Sequence, residues 1–348
     1  MLDPRNLGPA TEVLRVDPQT GAVTARFESG YDPAMVVSPD GKHLFLSSAS
    51  GTEDPSSSLL SVVDTATKEP LASVEIPDRW LNTLPAYFPI MSLSPEGRWL
   101  YVLQGRVTGP NLVETSVATF DTLTNQALPG PTPLDGCGTA LLFSGFADRH
   151  VMALCHLAHD ARSISGTDAG TAAISAEVEL PRVGEEGEDE NRNSMDLQQV
   201  AGGGRLPDGR KLVAVTQNGY VIAVDLGSGT ASSTEVGLSE GDAVPFGQVG
   251  TSNDGRRLFL GIRSTSTLDR LSGDRILVLD TASWRPLATL VSPVPFRSFA
   301  LSPDGQRVYA VSTVTRSIVL FDSDQSVPIM VIPNIGESPT LAQVVNPS

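Results

Sequence analysis

The chain has 348 residues, with 24 lysines and arginines against 40 aspartates and glutamates, a formal net charge of −16. Such an acidic surface repels phosphate groups and anionic lipid heads, which excludes nucleic-acid binding through a basic surface. The chain is 40% hydrophobic and 18% charged, a composition that can bury a core. Because no run of 18 apolar residues exists, we expect no membrane span.

At the N-terminus, residues 12–27 have the pattern of a strand, an aspartate turn and a second strand. Only Met1 and Leu2 precede Asp3 and Pro4, where a further strand would be expected. We therefore expect the natural chain to begin further upstream, with an export signal that is not present in this sequence. The alternative is a first unit with one strand fewer than the others.

One unit then recurs along the chain: a Ser-Pro-Asp-Gly sequence or a near copy, followed by an alternating run rich in Val, Leu, Phe and Tyr. The copies are at 38–41, 94–97, 206–209, 252–255 and 302–305, and a degenerate copy is expected at 144–148. Proline fixes φ, aspartate bonds its own backbone and glycine accepts a positive φ, so each copy predicts a hairpin turn.

Strands are predicted on both sides of each turn. The strands after the turn are His43–Ala49, 99–104, Lys211–Thr216, Arg257–Ile262 and Arg307–Ser312, and those ending in aspartate are 60–64, 117–121, 221–225, 276–280 and 318–322. A fourth strand such as 71–76 follows a small turn, and a last apolar run lies at 340–345. Four antiparallel strands in about 45 to 55 residues are typical of a propeller blade.

We predict a single all-β domain over residues 1–348, a seven-bladed β-propeller with four-stranded antiparallel blades. The predicted blades are 33–77, 88–133, 138–181, 197–237, 245–291, 295–332, and a last blade closed by both termini from 336–348 and 1–28. The length fits one such ring better than several domains because the repeat runs through the whole chain.

The two faces of this propeller differ in the length of their loops. One face has only tight turns, whereas the other has longer segments at 51–58, 77–87, 105–115, 181–196 and 263–274, where a binding site is expected. The residues before each first strand would rim the central tunnel: Tyr31, Tyr87, Asp135, Met195, Phe246, Arg297 and Glu337. They suit a small ligand or a partner's loop; the alternative is that they plug the tunnel.

Cys137 and Cys155 are the only cysteines, and the repeat places them at the start and on the second strand of the third blade. A disulfide is the leading interpretation, and it would indicate an oxidising compartment. Buried free thiols and metal ligation are the alternatives.

A weak metal signal lies in the acidic run before residue 191. Asp189, Asn191 and Asn193 occupy the first, third and fifth positions of a calcium loop, but Ser194 and Val200 depart from its sixth and twelfth. We expect a solvated acidic loop here. No hydrolase, zinc-protease or nucleotide-binding motif is present, so no catalytic residue is assigned.

The sequence resembles the YVTN-type seven-bladed propellers and, more closely, the heavy chain of methylamine and aromatic amine dehydrogenases. The resemblance rests on 17–21, 30–41, 87–97, 134–137, 154–155 and 246–249. It implies a periplasmic scaffold without a redox cofactor of its own, partnered by a small Cys-rich light chain that carries tryptophan tryptophylquinone. It also implies a disulfide between Cys137 and Cys155, and a substrate-channel position for Tyr31, where methylamine enzymes usually have Phe.

Two functional hypotheses follow. The first is a non-catalytic scaffold or binding protein, periplasmic or secreted and similar to an amine dehydrogenase heavy subunit, which engages a partner or small ligand on the long-loop face. The alternative is a propeller enzyme acting alone, such as a metal-dependent lactonase-like hydrolase.

Overall fold

The computed structural model describes residues 11–17, 20, 22–49, 57–77, 91–94, 96–109, 112–137, 140–146, 150–155, 160–166, 172–181, 200–206, 211–225, 227–245, 247–265, 267, 269, 271–302 and 304–335. All regular structure within these residues is β-strand, which confirms the all-β prediction. None of the described residues forms a helix long and apolar enough to cross a membrane.

The strands follow one another at short intervals. In chain order they are β1 (Thr11–Val16), β2 (Val23–Val37), β3 (His43–Ala49), β4 (Ser57–Asp64), β5 (Pro70–Pro77), β6 (Met91–Leu93), β7 (Trp99–Gly109), β8 (Leu112–Asp121), β9 (Gln126–Ala127), β10 (Thr132–Pro133), β11 (Ala140–Phe146), β12 (His150–Cys155), β13 (Asp160–Gly166), β14 (Ala172–Glu179), β15 (Val200–Arg205), β16 (Lys211–Thr216), β17 (Tyr220–Asp225), β18 (Thr230–Glu235), β19 (Val249–Thr251), β20 (Arg257–Ile262), β21 (Gly273–Asp280), β22 (Pro286–Phe296), β23 (Ser298–Leu301), β24 (Arg307–Ser312), β25 (Ser317–Asp322) and β26 (Pro328–Pro333).

These described strands form six sheets, numbered one to six in chain order. Five are meanders in which each strand is hydrogen-bonded to the next: β1 to β5, β11 to β14, β15 to β18, β19 to β22 and β23 to β26. Sheet two departs from this order, since β8 pairs with β7, β9 and β10, and β6 is at the other edge.

The prediction of seven blades is wrong. β2 is one continuous strand of 15 residues that pairs with β1 along its first half and with β3 along its second half. The N-terminal residues expected to close a separate blade therefore belong to sheet one. The other residues assigned to that blade, 336–348 and 1–10, lie outside the described part of the chain.

The predicted strands agree closely with the structure. The bounds predicted for β3, β16, β20 and β24 are those observed, and the strands ending in aspartate lie within β4, β8, β17, β21 and β25. The loop predicted at 105–115 is wrong, because β7 and β8 stay paired there, with Gly105 opposite Thr115 and Val107 opposite Val113. The β-branched residues Val107 and Val113 favour a strand where glycine suggested its end.

The described strands divide between two compact units. The first holds β1 to β12 and the second β15 to β26, while the residues of β13 and β14 are shared between the two. In the first unit, Trp99 and Tyr101 lie in a fully buried cluster with both cysteines. In the second unit, Phe259, Phe296 and Phe321 form the aromatic part of a buried cluster between sheets five and six.

The turns at Ser38, Ser252 and Ser302 form the same hydrogen bonds. In sheet five, the Ser252 hydroxyl donates to Asp254 Oδ1 at 2.6 Å and accepts from the Arg257 amide at 3.0 Å. Gly255 closes the turn with φ of 65°, donating its amide to the Ser252 carbonyl at 2.7 Å. The serine hydroxyl and the Arg256 amide lower the pKa of Asp254 below its usual value of 3.8.

A second turn, after the third strand, is hydrogen-bonded to the first. The hydroxyl groups of Thr65, Thr122 and Thr281 donate to the carbonyl groups of turn glycines, in the pairs Thr65–Gly41 (2.6 Å), Thr122–Gly97 (2.8 Å) and Thr281–Gly255 (2.8 Å). In the last sheet, the two turns are joined by the backbone amide of Ser323, which donates to the Gln306 carbonyl at 2.9 Å. We call the threonine-to-glycine contact the turn latch, and the end of each sheet where the two turns meet the turn end.

The disulfide prediction is confirmed. Cys137 and Cys155 are bonded, with their Cα atoms 4.6 Å apart, and neither residue is exposed to solvent. The bond joins the turn before β11 to the end of β12, within the first unit.

Removing one turn latch should destabilise the chain. The Thr281→Val variant keeps the shape of a buried side chain but loses its hydrogen bond to Gly255. We therefore expect its free energy of unfolding, measured in urea, to be about 1 kcal/mol lower than that of the wild type. The matched change Thr234→Val, at an exposed position in β18, should leave the unfolding free energy within the error of measurement. Equal effects of the two changes would contradict the role of the latch.

Removing the disulfide should cost more. The two cysteines are separated by 18 residues, and replacing both with alanine should lower the unfolding free energy by about 3 kcal/mol. Because both sulfur atoms are buried, dithiothreitol should reduce the wild type readily only in denaturant. Fast reduction of the native protein, followed by alkylation and mass spectrometry, would show that the bond is accessible.

Candidate ligand-binding site

Two of the seven predicted rim residues can be described with their side chains. Asp135 is exposed, between β10 and β11 in the first unit. Arg297 lies between β22 and β23 in the second. Tyr31 lies in β2 with its backbone opposite Ala49, and only this backbone position is described. The other predicted rim residues Tyr87, Met195, Phe246 and Glu337, and the weak metal candidates Asp189, Asn191 and Asn193, lie outside the described residues.

Three connections meet beside Arg297 in the second unit. Because neighbouring strands of a meander run in opposite directions, the segment 236–248 before β19, the loop 263–272 between β20 and β21, and Arg297 after β22 all lie at one end of sheet five. This is the end opposite its turn latch. We call it the long-loop end, and it is the candidate site.

The side chain of Gln248 holds this end together. It is fully buried, and its Nε2 group is shared among three carbonyl oxygens, those of Leu271 (2.9 Å), Phe296 (3.3 Å) and Arg297 (3.2 Å). One amide therefore joins the start of β19 to the loop 263–272 and to the connection after β22. A buried carbonyl left without a donor costs free energy, so these bonds fix both segments.

Glycines make room for Gln248. A Cβ atom on Gly261 or on Gly273 would collide with the Gln248 side chain, with Oε1 as the nearest atom in each case. Oε1 itself is buried, and no described residue donates a hydrogen bond to it. The two glycines lie in β20 and β21. Because neither has a Cβ atom, they leave a slot that the Gln248 side chain occupies.

A charged network fixes the other side of the loop 263–272. Arg275 bridges two carboxylates, Asp242 on the segment before β19 and Asp274 beside it, the latter at 2.9 Å. Asp274 Oδ2 also accepts from the Ser264 hydroxyl and from Thr267 Oγ1 at 2.9 Å. Burial alone raises the pKa of Asp274, but the two hydroxyl groups and Arg275 outweigh it, so the pKa lies below its usual value.

The backbone adds a further tie between the same two segments. Ala243 and Arg263 exchange amide-to-carbonyl hydrogen bonds of 3.0 and 2.8 Å. Gly241, with φ of 80°, lies so close to Thr265 that any Cβ atom there would collide with the threonine methyl group. The loop 263–272 is therefore held against the segment before β19 along its first half.

Arg297 is paired with Asp269 in the second half of the loop. Its Nε atom lies 3.0 Å from Asp269 Oδ2, although the angle is too poor for a hydrogen bond, so the attraction is that of an ion pair. Burial raises the pKa of Asp269, but the Leu271 amide, the Ser272 hydroxyl and Arg297 together lower the pKa overall. Asp269 is therefore ionised at neutral pH and holds one edge of the guanidinium.

This arrangement is suited to recognition. Its groups are hydrogen-bond donors and acceptors on loops that are fixed in advance, and such fixing lowers the ordering cost of binding. Over the described residues, no three His, Cys, Asp or Glu side chains come together as metal ligands would.

Sequence reasoning placed Arg297 at this end but missed the residues that hold it. Gln248, Asp269 and Asp274 belong to no motif, since their partners are backbone groups and single side chains on other segments. A usable signal was Gly261, inside the otherwise apolar sequence of β20. Isolated glycines in strands often mark a close approach of another group.

Comparison with known proteins identifies the fold and nothing finer. No family model and no curated protein matches the chain. The solved structures it resembles include NirN, a dihydro-heme d1 dehydrogenase in complex with DHE (TM-score 0.58, 17% identity, 96% of this chain and 64% of that one). The chain thus spans just under two thirds of NirN.

Two further structures resemble nearly the whole chain. One is the Cps50 (Swd1) β-propeller domain of Myceliophteria thermophila (TM-score 0.59, 13% identity, 91% of this chain and 89% of that one). The other is hydrazine synthase of Kuenenia stuttgartiensis (TM-score 0.54, 16% identity, 84% of this chain and 76% of that one). The chain has a β-propeller fold. The resemblance to amine dehydrogenase heavy chains stays a prediction.

The slot for Gln248 can be tested with a double-mutant cycle. Gln248→Ala should lower the unfolding free energy by about 3 kcal/mol, because it leaves buried carbonyl groups without a donor. Gly261→Ala should destabilise the wild type but cost far less in the Gln248→Ala background, where the slot is empty. Denaturant unfolding of the four proteins measures the coupling.

Gly227→Ala, in the exposed turn after β17, is the matched control for this cycle. Its effect should be the same in both backgrounds. If Gly261→Ala were also additive with Gln248→Ala, the glycine would not be needed to accommodate the glutamine.

Proposed function

We propose that this β-propeller is a non-catalytic binding or scaffold protein that engages a partner or a small ligand at the long-loop end of its sheets. The supporting observation is the contrast between the two ends of sheet five. At the turn end, short turns bond to each other and repeat from sheet to sheet. At the long-loop end, a longer loop is fixed by Gln248 and by two arginines, a contact set that no other described sheet repeats.

The structural comparisons are compatible with such a role. The matched proteins bear different names, a dihydro-heme d1 dehydrogenase, hydrazine synthase and a propeller domain among them, and share only the fold with this chain. A scaffold that carries different sites on its loops is expected to have neighbours of this kind.

We further propose that the protein is periplasmic or secreted, and that it resembles an amine dehydrogenase heavy subunit in acting with a small Cys-rich light chain. The disulfide supports the first part, because such bonds persist in oxidising compartments. In this proposal the chain has no redox cofactor of its own, and tryptophan tryptophylquinone would belong to the light chain.

The proposal predicts that binding depends on one end of the fold. The tagged full-length protein would be recovered from its source cells under native conditions and examined by native mass spectrometry for a bound light chain or small molecule. Glu240→Lys reverses an exposed charge at the long-loop end and should weaken retention by roughly tenfold or more. Glu69→Lys makes the same change in an exposed turn of sheet one and should not.

Three results would contradict the proposal. Equal losses in the two variants would place binding elsewhere, and recovery of the wild type with nothing bound would argue against a binding role. Turnover of amines or lactones by the chain alone would show that it is an enzyme in its own right.

A further inference from the structure

The backbone of Arg297 is held from two sides. Its amide donates to the Val311 carbonyl at 2.8 Å, which ties it to β24. Its own carbonyl accepts from Gln248 Nε2 at 3.2 Å, which ties it to the start of β19. The base of the side chain therefore has a fixed position at the long-loop end.

The guanidinium is held along only one of its edges. Nε lies beside Asp269, whose Oδ1 already accepts from the Leu271 amide at 3.0 Å and whose Oδ2 accepts from Ser272 Oγ at 2.8 Å. Among the described residues, no side chain or backbone group pairs with the two terminal nitrogens of Arg297. Yet the side chain is 29% exposed, so its position is kept by the fold and its outer edge can be reached by solvent.

Arg275 of the same unit pairs both of its terminal nitrogens with carboxylates. Arg257 uses one terminal nitrogen, Nη1, which donates to Ser323 at 2.7 Å and to Asp324 at 2.9 Å. Arg297 is held through Nε alone, beside Asp269, and within the described part of the chain neither of its terminal nitrogens is paired.

The next residue in the chain, Ser298, carries a second polar group whose hydrogen bonding is incomplete. Ser298 is 2% exposed, and its buried hydroxyl oxygen has no hydrogen-bond partner among the residues that the structure describes. Buried hydroxyl groups are normally hydrogen-bonded, to protein, water or ligand. At the start of β23, the terminal nitrogens of Arg297 and the buried hydroxyl of Ser298 thus both lack a partner among the described residues. These are two signs that a polar ligand binds here.

We propose that Arg297 anchors a site for a monoanionic carboxylate, carried by a small ligand or by a side chain or C-terminus of the partner. The inference rests on the proposed function and names the chemistry of that same site. The terminal nitrogens of arginine present two parallel N–H donors, which match the two oxygens of a carboxylate. Asp269 lies beside Arg297 and a second carboxylate, Asp274, stands at the start of β21, so a dianionic phosphate would meet more repulsion than a single negative charge.

The probe for the test is N-acetylglycine, which carries one carboxylate, and its neutral analogue N-acetylglycinamide is the control ligand. At constant ionic strength, the carboxylate should raise the unfolding temperature of the full chain saturably, and the amide should not. Arg297→Gln should weaken the apparent affinity by roughly tenfold or more, because it removes a charged hydrogen-bond pair. Arg256→Gln, at an exposed arginine of the turn end, should respond as the wild type does.

Arg297→Lys keeps the charge but loses the parallel donors, so it should bind at least severalfold more weakly than the wild type; its near-wild-type circular dichroism would exclude misfolding as the cause. The inference is overturned if the amide stabilises equally, if Arg297→Gln and Arg297→Lys respond as the wild type does, or if inorganic phosphate binds more tightly than N-acetylglycine. Should these tests fail while Glu240→Lys still releases the natural partner, the proposed function stands without a carboxylate site.

Discussion

The hydrogen bond between the two turns of a sheet is the contact on which the rest of the structure depends. A threonine hydroxyl after the third strand donates to the glycine carbonyl of the hairpin turn, and it does so in sheets one, two and five. The bond joins two turns, and so the four strands that these turns connect, at one end of the sheet. Connections of different length can then be accommodated at the other end without disturbing the buried residues between.

The strands were predictable because the signals for them are local. A turn needs only four neighbouring residues, and a strand only the alternation of its own side chains, so β3, β16, β20 and β24 were predicted to the residue. The number of sheets depends instead on which segments pair. The sequence pattern predicts two strands of different blades within Val23–Val37, whereas the backbone there continues without a break and joins both sets of partners in one sheet.

The candidate site was predictable only in part, for a related reason. Arg297 could be placed because it directly precedes a first strand, and the cysteines because the repeat gives their positions. Gln248 could not be found in the same way: its hydrogen bonds go to three backbone carbonyl groups, which every residue has. No pattern of side chains predicts such a contact, and only the glycines opposite Gln248 indicate it in the sequence.

The slot around Gln248 also limits how this sequence can change over generations. Gly261 and Gly273 have no side chain because Gln248 occupies the space, and Gln248 keeps its length because its amide must reach across the sheet. Replacing only one of these three residues gives a less stable protein. We therefore expect the three positions to change together or to stay unchanged. In related sequences, the loop that they support could vary freely in composition while its anchoring points vary only as a set.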